Sequence, residues 1–166
     1  TGEGEVLYFQ ERYGMNNSRF YIWKFATMLK NSINMGTGSI TLINDPRVTK
    51  IGLFLRKTKI NELPQIINIL KGDISLVGPR PDVPGYADKL VGKDRRILEL
   101  RPGITGPATL KYANEEELLA NVEDPIKYND EVIFPDKVRI NLEYMDNWSL
   151  WLDIKIIFKT IFRSNY

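Results

Sequence analysis

The hydrophobic and polar positions near the start of the chain predict a β-hairpin. The run "EVLYFQERYG" alternates loosely between apolar and polar residues and carries several aromatics, as strands do. "RFYIWKFATML" is a second run of this kind, and "GMNNS" between them supplies turn residues. We therefore expect two antiparallel strands, the first of which ends in a turn at Gly14.

A helical spacing of apolar residues follows in residues 58–71. Gly72 is expected to end this helix, and Pro64 is compatible with it because it falls within the first turn. The apolar positions that carry the spacing are Ile60, Leu63, Ile67 and Leu70. This is the strongest helix prediction in the chain.

Between hairpin and helix, residues 31–45 are rich in Gly, Ser, Asn and Thr, which favours a loop. A short helix should follow, capped by Asp45 with Pro46 in its first turn.

The second half of the chain predicts a strand and several helices. "DISLV" is expected to form a short strand, followed by a proline-rich loop and a helix in the segment up to Leu90. "RPGITGPATLKYAN" is expected to be loop and strand, and short helices separated by Pro125 and Pro135 should come next. The fold class is therefore α/β in the α+β sense: a mostly helical single domain over residues 1–166 with a small N-terminal antiparallel hairpin.

The tail "WSLWLDIKIIFKTIF" predicts a strongly apolar C-terminal helix. Trp and bulky aliphatic residues alternate with Asp153, Lys155 and Lys159, a pattern that suits an amphipathic helix in a membrane interface. A core helix with one wet edge explains the pattern almost as well. No run of about 18 apolar residues occurs, so the sequence contains no candidate membrane span.

Composition limits which side chains can carry out catalysis or bind a metal. The 166 residues include neither cysteine nor histidine, which excludes disulfides, thiolate nucleophiles, Cys/His zinc sites and imidazole catalysis. Carboxylates, Lys, Arg, Tyr, hydroxyls or a hard cation such as Mg²⁺ remain. The net charge of +2 gives no reason to expect a nucleic-acid partner.

A cluster of cations precedes the predicted helix. Its members are Arg47, Lys50, Arg56, Lys57 and Lys59. Arginine presents a fork of donors that suits phosphate oxygens, so a pyrophosphate site is one interpretation. A solvated helix face is the other, and composition favours it by about two to one.

Glu62 and Arg80 stand out beside this cluster. Glu62 falls in the first turn of the predicted helix, where a carboxylate is stabilised by the helix dipole and where a phosphate is equally well placed. "GPRP" holds Arg80 between two prolines, so its side chain has a rigid base from which to bind an anion. A plain proline corner explains this motif equally well.

The order of motifs "DPRVTKIGLFLRKTKINELPQIINILKGDISLVGPRP", "RPGITG" and "NWSLWLDIKIIFKTI" resembles the bacterial sugar transferases, the monotopic phosphoglycosyl transferases that begin lipid-linked glycan assembly. The resemblance runs from about Gly4 to Phe162. It implies transfer of a sugar-1-phosphate from a nucleotide-diphosphate sugar to a membrane polyprenyl phosphate, with Mg²⁺, at the cytoplasmic face of the bacterial inner membrane. It also implies a re-entrant membrane anchor upstream of Gly4 and a tail helix on the bilayer surface.

The resemblance implies roles for particular residues. Asn61 and Glu62 match the catalytic acid pair, which would also hold the metal, while Lys24, Arg56 and Arg80 match basic positions that would bind the pyrophosphate. In the family the first acid is an aspartate that attacks phosphorus and forms a covalent phosphosugar intermediate.

The chain departs from the family pattern at three positions. Asn61 replaces the nucleophilic aspartate, Ala26 replaces an arginine, and Asn141 replaces a common acidic residue. An amide is a poor nucleophile, so two hypotheses follow. Either Glu62 serves as nucleophile or positions Mg²⁺ for direct transfer, or the protein binds nucleotide sugar or lipid without turnover. A nucleic-acid-binding module and a peripheral membrane scaffold are the alternatives from other classes.

Overall fold

The computed structural model describes residues 3–36, 38, 40–42 and 44–162. The predicted hairpin is confirmed: β1 (Leu7–Tyr13) pairs with β2 (Arg19–Phe25) in antiparallel register, with Tyr8 opposite Lys24. The turn between the strands places Asn16 and Asn17 at φ 55° and 61°. Asparagine tolerates this left-handed conformation better than most residues, so the "GMNNS" turn follows from its composition.

The helix after the loop begins later than predicted. Helix α1 (Lys50–Lys57) is capped by Thr49, whose hydroxyl accepts a hydrogen bond from the Gly52 amide at 2.9 Å. The predicted cap at Asp45 is wrong because that carboxylate is engaged elsewhere. It is buried and forms an ion pair with Arg47 at 2.6 Å.

Arg47 organises the loop instead of offering its charge to a ligand. Its side chain is buried and donates hydrogen bonds to backbone carbonyl oxygens along the preceding loop. The acceptors are the carbonyls of Ser32, Met35, Gly38 and Ile40, at 2.6–2.9 Å. The interpretation of the cation cluster as a phosphate site therefore does not hold for Arg47, whose guanidinium is already occupied.

The helix predicted over residues 58–71 is divided in two. A 3-10 turn (Ile60–Glu62) comes first and helix α2 (Gln65–Lys71) second, with Pro64 at the junction. Lys59 is left-handed, at φ 60°, so the helical backbone starts only at Ile60. The amides of Leu63 and Ile66 each donate to the carbonyl three residues earlier, and Pro64 has no N–H, so the α-helical pattern begins at Gln65. Gly72, at φ 79°, ends α2 as predicted.

The apolar spacing of this segment is real, but much of it faces outward. Leu63 and Leu70 are 62% and 84% exposed, and Ile66 between them is 60% exposed. The buried positions of α2 are polar, namely Gln65 and Asn68. Asn68 donates to the Tyr21 carbonyl at 2.8 Å and accepts from the Trp23 amide at 3.0 Å, so it joins α2 to β2.

A second, two-stranded sheet lies downstream. The predicted strand is β3 (Ser75–Val77), and it pairs in parallel with β4 (Gly103–Thr105). The helix expected before Leu90 does not form as an α-helix. The connection contains 3-10 segments instead, at Ala87–Lys89 and Gly92–Glu99.

Short helices then complete the chain. They are α3 (Pro107–Lys111), α4 (Glu115–Ala120), α5 (Pro125–Tyr128), α6 (Phe134–Asp146) and α7 (Leu150–Ile161). Pro125 separates α4 from α5 as predicted, and it is the first residue of α5. Pro135 does not separate two helices, because a π-helical stretch at Asn129–Ile133 joins α5 to α6 and accommodates the missing proline N–H.

Two groups of buried apolar residues hold these elements together. One joins the 92–99 segment to α6, and the other joins β3 and α6 to α7. Their buried members are Ala87, Ile97, Leu98 and Val138 in the first and Val77, Tyr144 and Ile156 in the second. The predicted fold class is confirmed: helix predominates, with one small N-terminal antiparallel hairpin. Within the described ranges no helix is both long and apolar enough to cross a membrane.

Candidate active site

Glu62 and Arg80 are 18 residues apart in the sequence and in direct contact in the structure. The Arg80 guanidinium donates to Oε1 of Glu62 at 3.0 Å. Burial alone would raise the pKa of Glu62, but the charges of Arg80 and Lys24 outweigh it and lower that pKa to about 2. The Glu62 charge in turn raises the pKa of Arg80. Both groups are therefore fully ionised at neutral pH.

The "GPRP" turn that carries Arg80 is fixed on both sides by backbone hydrogen bonds. Gly78 donates to the Thr105 carbonyl at 2.9 Å, and Gly103 donates to the Pro79 carbonyl at 2.8 Å. The backbones approach so closely that a Cβ atom on Gly103 would lie 2.2 Å from the Gly78 nitrogen. Glycine is required there, and the prolines and close packing give Arg80 a rigid base.

The hairpin adds two more cations to this site. Tyr8, Gln10 and Arg12 alternate along one face of β1, and Lys24 lies on the same face because it pairs with Tyr8. Burial, with the charges of Arg12 and Arg80, holds the pKa of Lys24 well below its ordinary value. Burial and Arg80 likewise lower the pKa of Arg12 to about 10.

Arg12 was not among the predicted site residues. It donates to the Pro81 carbonyl at 2.9 Å and to Oε1 of Gln10 at 2.6 Å, so it holds the turn beside Arg80. Its buried Nε has no partner within the described part of the chain. The sequence carries a usable indication, since the predicted hairpin with two-residue alternation places Arg12 and Lys24 on one face.

Asp82 is a second site residue that the sequence motifs do not indicate. It follows the "GPRP" turn directly, and its backbone carbonyl accepts from the Tyr13 amide at 3.2 Å. Burial raises the pKa of its carboxyl group to about 6, although Arg12, Lys137 and Arg80 act in the opposite direction. Asp82 thus contributes a second, less acidic carboxyl group to the same cation cluster.

Arg56 lies within electrostatic range of this cluster but is paired with another acid. Its charge contributes to the lowered pKa of Lys24. Its guanidinium donates to the Glu116 carboxylate on the first turn of α4. The structure therefore brings Arg56 near the predicted site while a glutamate 60 residues away occupies it.

Asn61 is buried beside Glu62, and its carbonyl oxygen Oδ1 has no hydrogen-bond donor among the described residues. One helical turn later, the Nε2 donor of buried Gln65 is also unpartnered within the described ranges. Buried polar groups are normally paired, so these two atoms are available to a ligand group or an ordered water. Glu62 lies in the 3-10 turn that precedes α2, on the N-terminal side of that helix, and its stabilisation by the helix dipole stays a prediction.

Comparison with known proteins identifies the family. The sequence profile described as bacterial sugar transferase matches residues 1–165. The chain belongs to the bacterial sugar transferase family. The family assignment made from the motifs is thereby confirmed.

Curated relatives in the bacterial sugar transferase family transfer different sugars, according to their names. UDP-glucose:undecaprenyl-phosphate glucose-1-phosphate transferase of Escherichia coli strain K12 is 38% identical, over 99% of this chain and 33% of its own length. Galactosyl transferase CpsE of Streptococcus agalactiae is 38% identical, over 95% of this chain and 34% of its own. UDP-N-acetylgalactosamine-undecaprenyl-phosphate N-acetylgalactosaminephosphotransferase of Aeromonas hydrophila is 38% identical, over 95% and 35%. The chain spans about a third of the length of these relatives.

Proposed function

We propose that the protein transfers a sugar-1-phosphate from a nucleotide-diphosphate sugar to a polyprenyl phosphate, and so begins the assembly of a lipid-linked glycan. The family membership and the names of the relatives support this reaction class. The single observation that carries the proposal within this chain is the contact between Glu62 and Arg80 among further cations.

The charge of this site suits a diphosphate. Arg12, Lys24 and Arg80 interact with one another unfavourably, since the charges of Arg12 and Arg80 both contribute to the lowered pKa of Lys24. A bound diphosphate relieves that repulsion and supplies acceptors to these donors. In this proposal Lys24 and Arg80 bind the donor diphosphate, Arg12 supports the "GPRP" turn, and Arg56 binds a substrate phosphate. Charge stabilisation of this kind is the main protein contribution to phosphoryl transfer.

Glu62 performs the central chemistry in one of two ways. As a nucleophile, its carboxylate attacks the sugar-linked phosphorus, the nucleoside monophosphate leaves, and the polyprenyl phosphate then displaces Glu62. In a direct transfer, the polyprenyl phosphate itself attacks the sugar-linked phosphorus and the nucleoside monophosphate leaves, while Glu62 would help to hold Mg²⁺, which would neutralise phosphoryl charge. Both roles require an ionised carboxylate, and the low pKa of Glu62 supplies one.

The residues present fit Mg²⁺. Asn61 has an unpartnered buried oxygen, and Arg80 engages Oε1 of the neighbouring Glu62. Across the described residues no group of three or more acidic, His or Cys side chains forms a metal cage. Mg²⁺ is commonly held by one or two protein oxygens together with substrate phosphates and water. Asn61 and Glu62 would hold it here, and the metal would neutralise charge on the phosphoryl oxygens.

We further propose that the protein works on the cytoplasmic face of a bacterial inner membrane. Exposed apolar side chains on α1, on α2 and between them include Ile51, Phe54, Leu63, Ile66 and Leu70. On α7, Trp151 is 80% exposed and Phe162, just after the helix, is 71% exposed. Apolar side chains exposed at this density mark an interaction surface, and the lipid acceptor makes a bilayer the matching partner.

The reaction is tested with radiolabelled nucleotide sugars, polyprenyl phosphate and Mg²⁺. Wild-type protein is expected to give a labelled lipid product, and Glu62→Gln to give none because the amide neither attacks phosphorus nor balances Arg80. Glu123→Gln, an exposed acid outside the site, is the matched control. Failure of wild-type protein to label lipid from any sugar donor would contradict the proposal.

A non-catalytic binding protein is the second candidate, and Asn61 is the observation that favours it. Here the protein binds nucleotide sugar or lipid without turnover, because an amide at position 61 is a weak nucleophile. Under this hypothesis Asn61→Asp creates activity that wild type lacks. Under the transferase proposal, wild type is already active before the substitution.

A further inference from the structure

Arg80 and Arg56 are each paired with a carboxylate, but only the Arg80 pair lies wholly within the central cation cluster. Glu62 and Arg80 are both part of the central cluster. Glu116 is 51% exposed at its side chain and reaches Arg56 from α4. A carboxylate and a phosphate present similar oxygen geometry to an arginine fork, so Glu116 occupies a position that suits a phosphate.

The surroundings of Arg56 are amphiphilic. It lies in the last turn of α1, and Leu53, three residues earlier on the same face of the helix, is 44% exposed. Leu63, a few residues on, is 62% exposed. On the other side, Arg56 is close enough to Lys24 to lower the pKa of that residue. A ligand at Arg56 therefore meets exposed hydrocarbon in one direction and the charged cluster in the other.

Helix α4 is anchored independently of Arg56. Glu115, the residue before Glu116, accepts from Lys137 of α6 through both oxygens, at 2.7 and 2.8 Å. Displacement of Glu116 from Arg56 leaves that anchor in place. The Arg56–Glu116 pair is thus exchangeable: the Glu116 side chain is 51% exposed and can return to water, while the Arg56 side chain, 23% exposed, stays in place to receive another anion.

We propose that Arg56 binds the phosphate group of the polyprenyl acceptor, and that Glu116 holds this position until the lipid phosphate displaces it. The inference rests on the proposed function and divides its phosphate sites in two. The donor diphosphate lies at Arg80 and Lys24, whereas the acceptor phosphate lies at Arg56 with its hydrocarbon chain toward α1. Glu116 is then a competitor that lowers acceptor affinity.

The test measures binding of farnesyl phosphate and of UDP to the same variants by calorimetry. Glu116→Gln is expected to tighten farnesyl phosphate binding about fivefold, the loss of one exposed ion pair, and to leave UDP binding within about twofold of wild type. Arg56→Gln should weaken farnesyl phosphate selectively, and Arg80→Gln should weaken UDP selectively. Glu117→Gln, on the same turn of α4, is the matched control and should change neither.

Three further ligands define the chemistry that is recognised. Farnesol should bind without any response to Glu116→Gln, and inorganic phosphate should bind weakly but with that response. Dihexanoylphosphatidylglycerol tests a phospholipid headgroup. If it binds as tightly as farnesyl phosphate and responds equally, the site is a general lipid-headgroup site and the inference is wrong.

The outcomes separate this inference from the proposed function. Unchanged farnesyl phosphate affinity in Glu116→Gln, or equal weakening of UDP and farnesyl phosphate in Arg56→Gln, overturns the assignment of Arg56 while the transferase proposal stands. Absence of UDP binding to wild type, with farnesyl phosphate bound as expected, contradicts the donor site and leaves Arg56 as a lipid phosphate site. No farnesyl phosphate binding in any variant overturns the inference. Thermal melting of each variant confirms that it is folded.

Discussion

Glu62 carries a full negative charge in a position where most of its side chain is out of water, with 21% exposed. Desolvation opposes that charge, and Arg80 and Lys24 stabilise it more strongly. The interactions of the Glu62 carboxylate with Arg80 and Lys24 therefore affect both the stability of the protein and its proposed chemistry.

Acid titration tests this balance. The pKa of Glu62 is lowered in the folded protein to about 2 from its usual value near 4.5, so its stabilisation is present above pH 4.5 and is lost as pH falls toward 2. We expect this residue to contribute about 3 kcal/mol to the decline in unfolding free energy between pH 5 and pH 2. Glu62→Gln should show a correspondingly shallower decline in urea unfolding across that range, and an identical slope in variant and wild type would refute the assignment.

Part of the site was predictable at the level of residues. The family motif named Glu62 and Arg80, and the structure places them in hydrogen-bond contact. Arg12 and Glu116 were not predicted because their partners are fixed by strand register and by the position of α4, neither of which is encoded in local sequence. Whether Lys24, Arg56 and Asn61 act as the resemblance implies stays a prediction.

Among the elements, the loop before α1 depends on one buried ion pair. Asp45 and Arg47 are both almost completely buried, at 8% and 3% exposure, and the hydrogen bond from Arg47 lowers the pKa of Asp45. Periodicity gave no indication of this role, because a loop of small polar residues has no repeating apolar face. The sequence therefore predicted that Asp45 caps a helix, whereas in the structure it forms a buried ion pair with Arg47, called here the Asp45–Arg47 clamp.

Arg47→Lys tests the clamp. Lysine cannot reproduce the planar fork that reaches several carbonyls and Asp45, so buried acceptors lose their donors. We expect a loss of about 3 kcal/mol in the free energy of unfolding, measured by urea denaturation. Arg19→Lys is the control, since the Arg19 side chain is 70% exposed in its pair with Glu11. If both variants lost a comparable free energy of unfolding, burial of the Asp45–Arg47 pair would not explain the loss.

Helix α1 passes very close to the end of the hairpin. A Cβ atom added to Gly52 would lie 2.0 Å from the Thr27 carbonyl oxygen, within a backbone contact that cannot yield easily. Gly52 is thus required by proximity, although glycine is normally unfavourable inside a helix.

Gly52→Ala is accordingly expected to destabilise the protein by about 2–3 kcal/mol despite the higher helix propensity of alanine. Thermal or urea unfolding measures the change. Ile51→Ala, at the neighbouring exposed position, should cost well under that amount. A neutral or stabilising Gly52→Ala would mean that α1 does not pack against Thr27 in solution.

At the scale of the whole molecule, apolar surface lies outside as well as inside. The helical spacing of Leu63 and Leu70 was visible in the sequence. Spacing predicts which residues share a helix face, but it does not predict whether that face is buried or exposed. In α2 the polar residues Gln65 and Asn68 are buried, whereas Ile66 and Leu70 are exposed. Fold class was predictable because it depends on local patterns, while this orientation depends on tertiary hydrogen bonds made by Asn68.

Liposome flotation tests whether this surface meets lipid. Leu70→Ser and Trp151→Ser remove side chains that are 84% and 80% exposed, so melting temperature should change by only a few degrees. Both variants should float less with liposomes than wild type, because each loses apolar area that enters the interface. Val91→Ser, a 79% exposed residue on neither helix, should float normally. Equal flotation of all four proteins would argue against membrane contact through α2 and α7.

The amide of Asn68 also has a consequence for how copies of this protein meet. By taking the Tyr21 carbonyl and the Trp23 N–H, it satisfies the same two groups that one residue of an added parallel strand would use. A single side chain thus imitates a third strand and closes that stretch of a two-stranded ribbon to β-augmentation. At high local concentration, this edge of β2 is therefore less able to pair with a strand of a neighbouring molecule. Asn68 thus protects the protein against edge-to-edge aggregation.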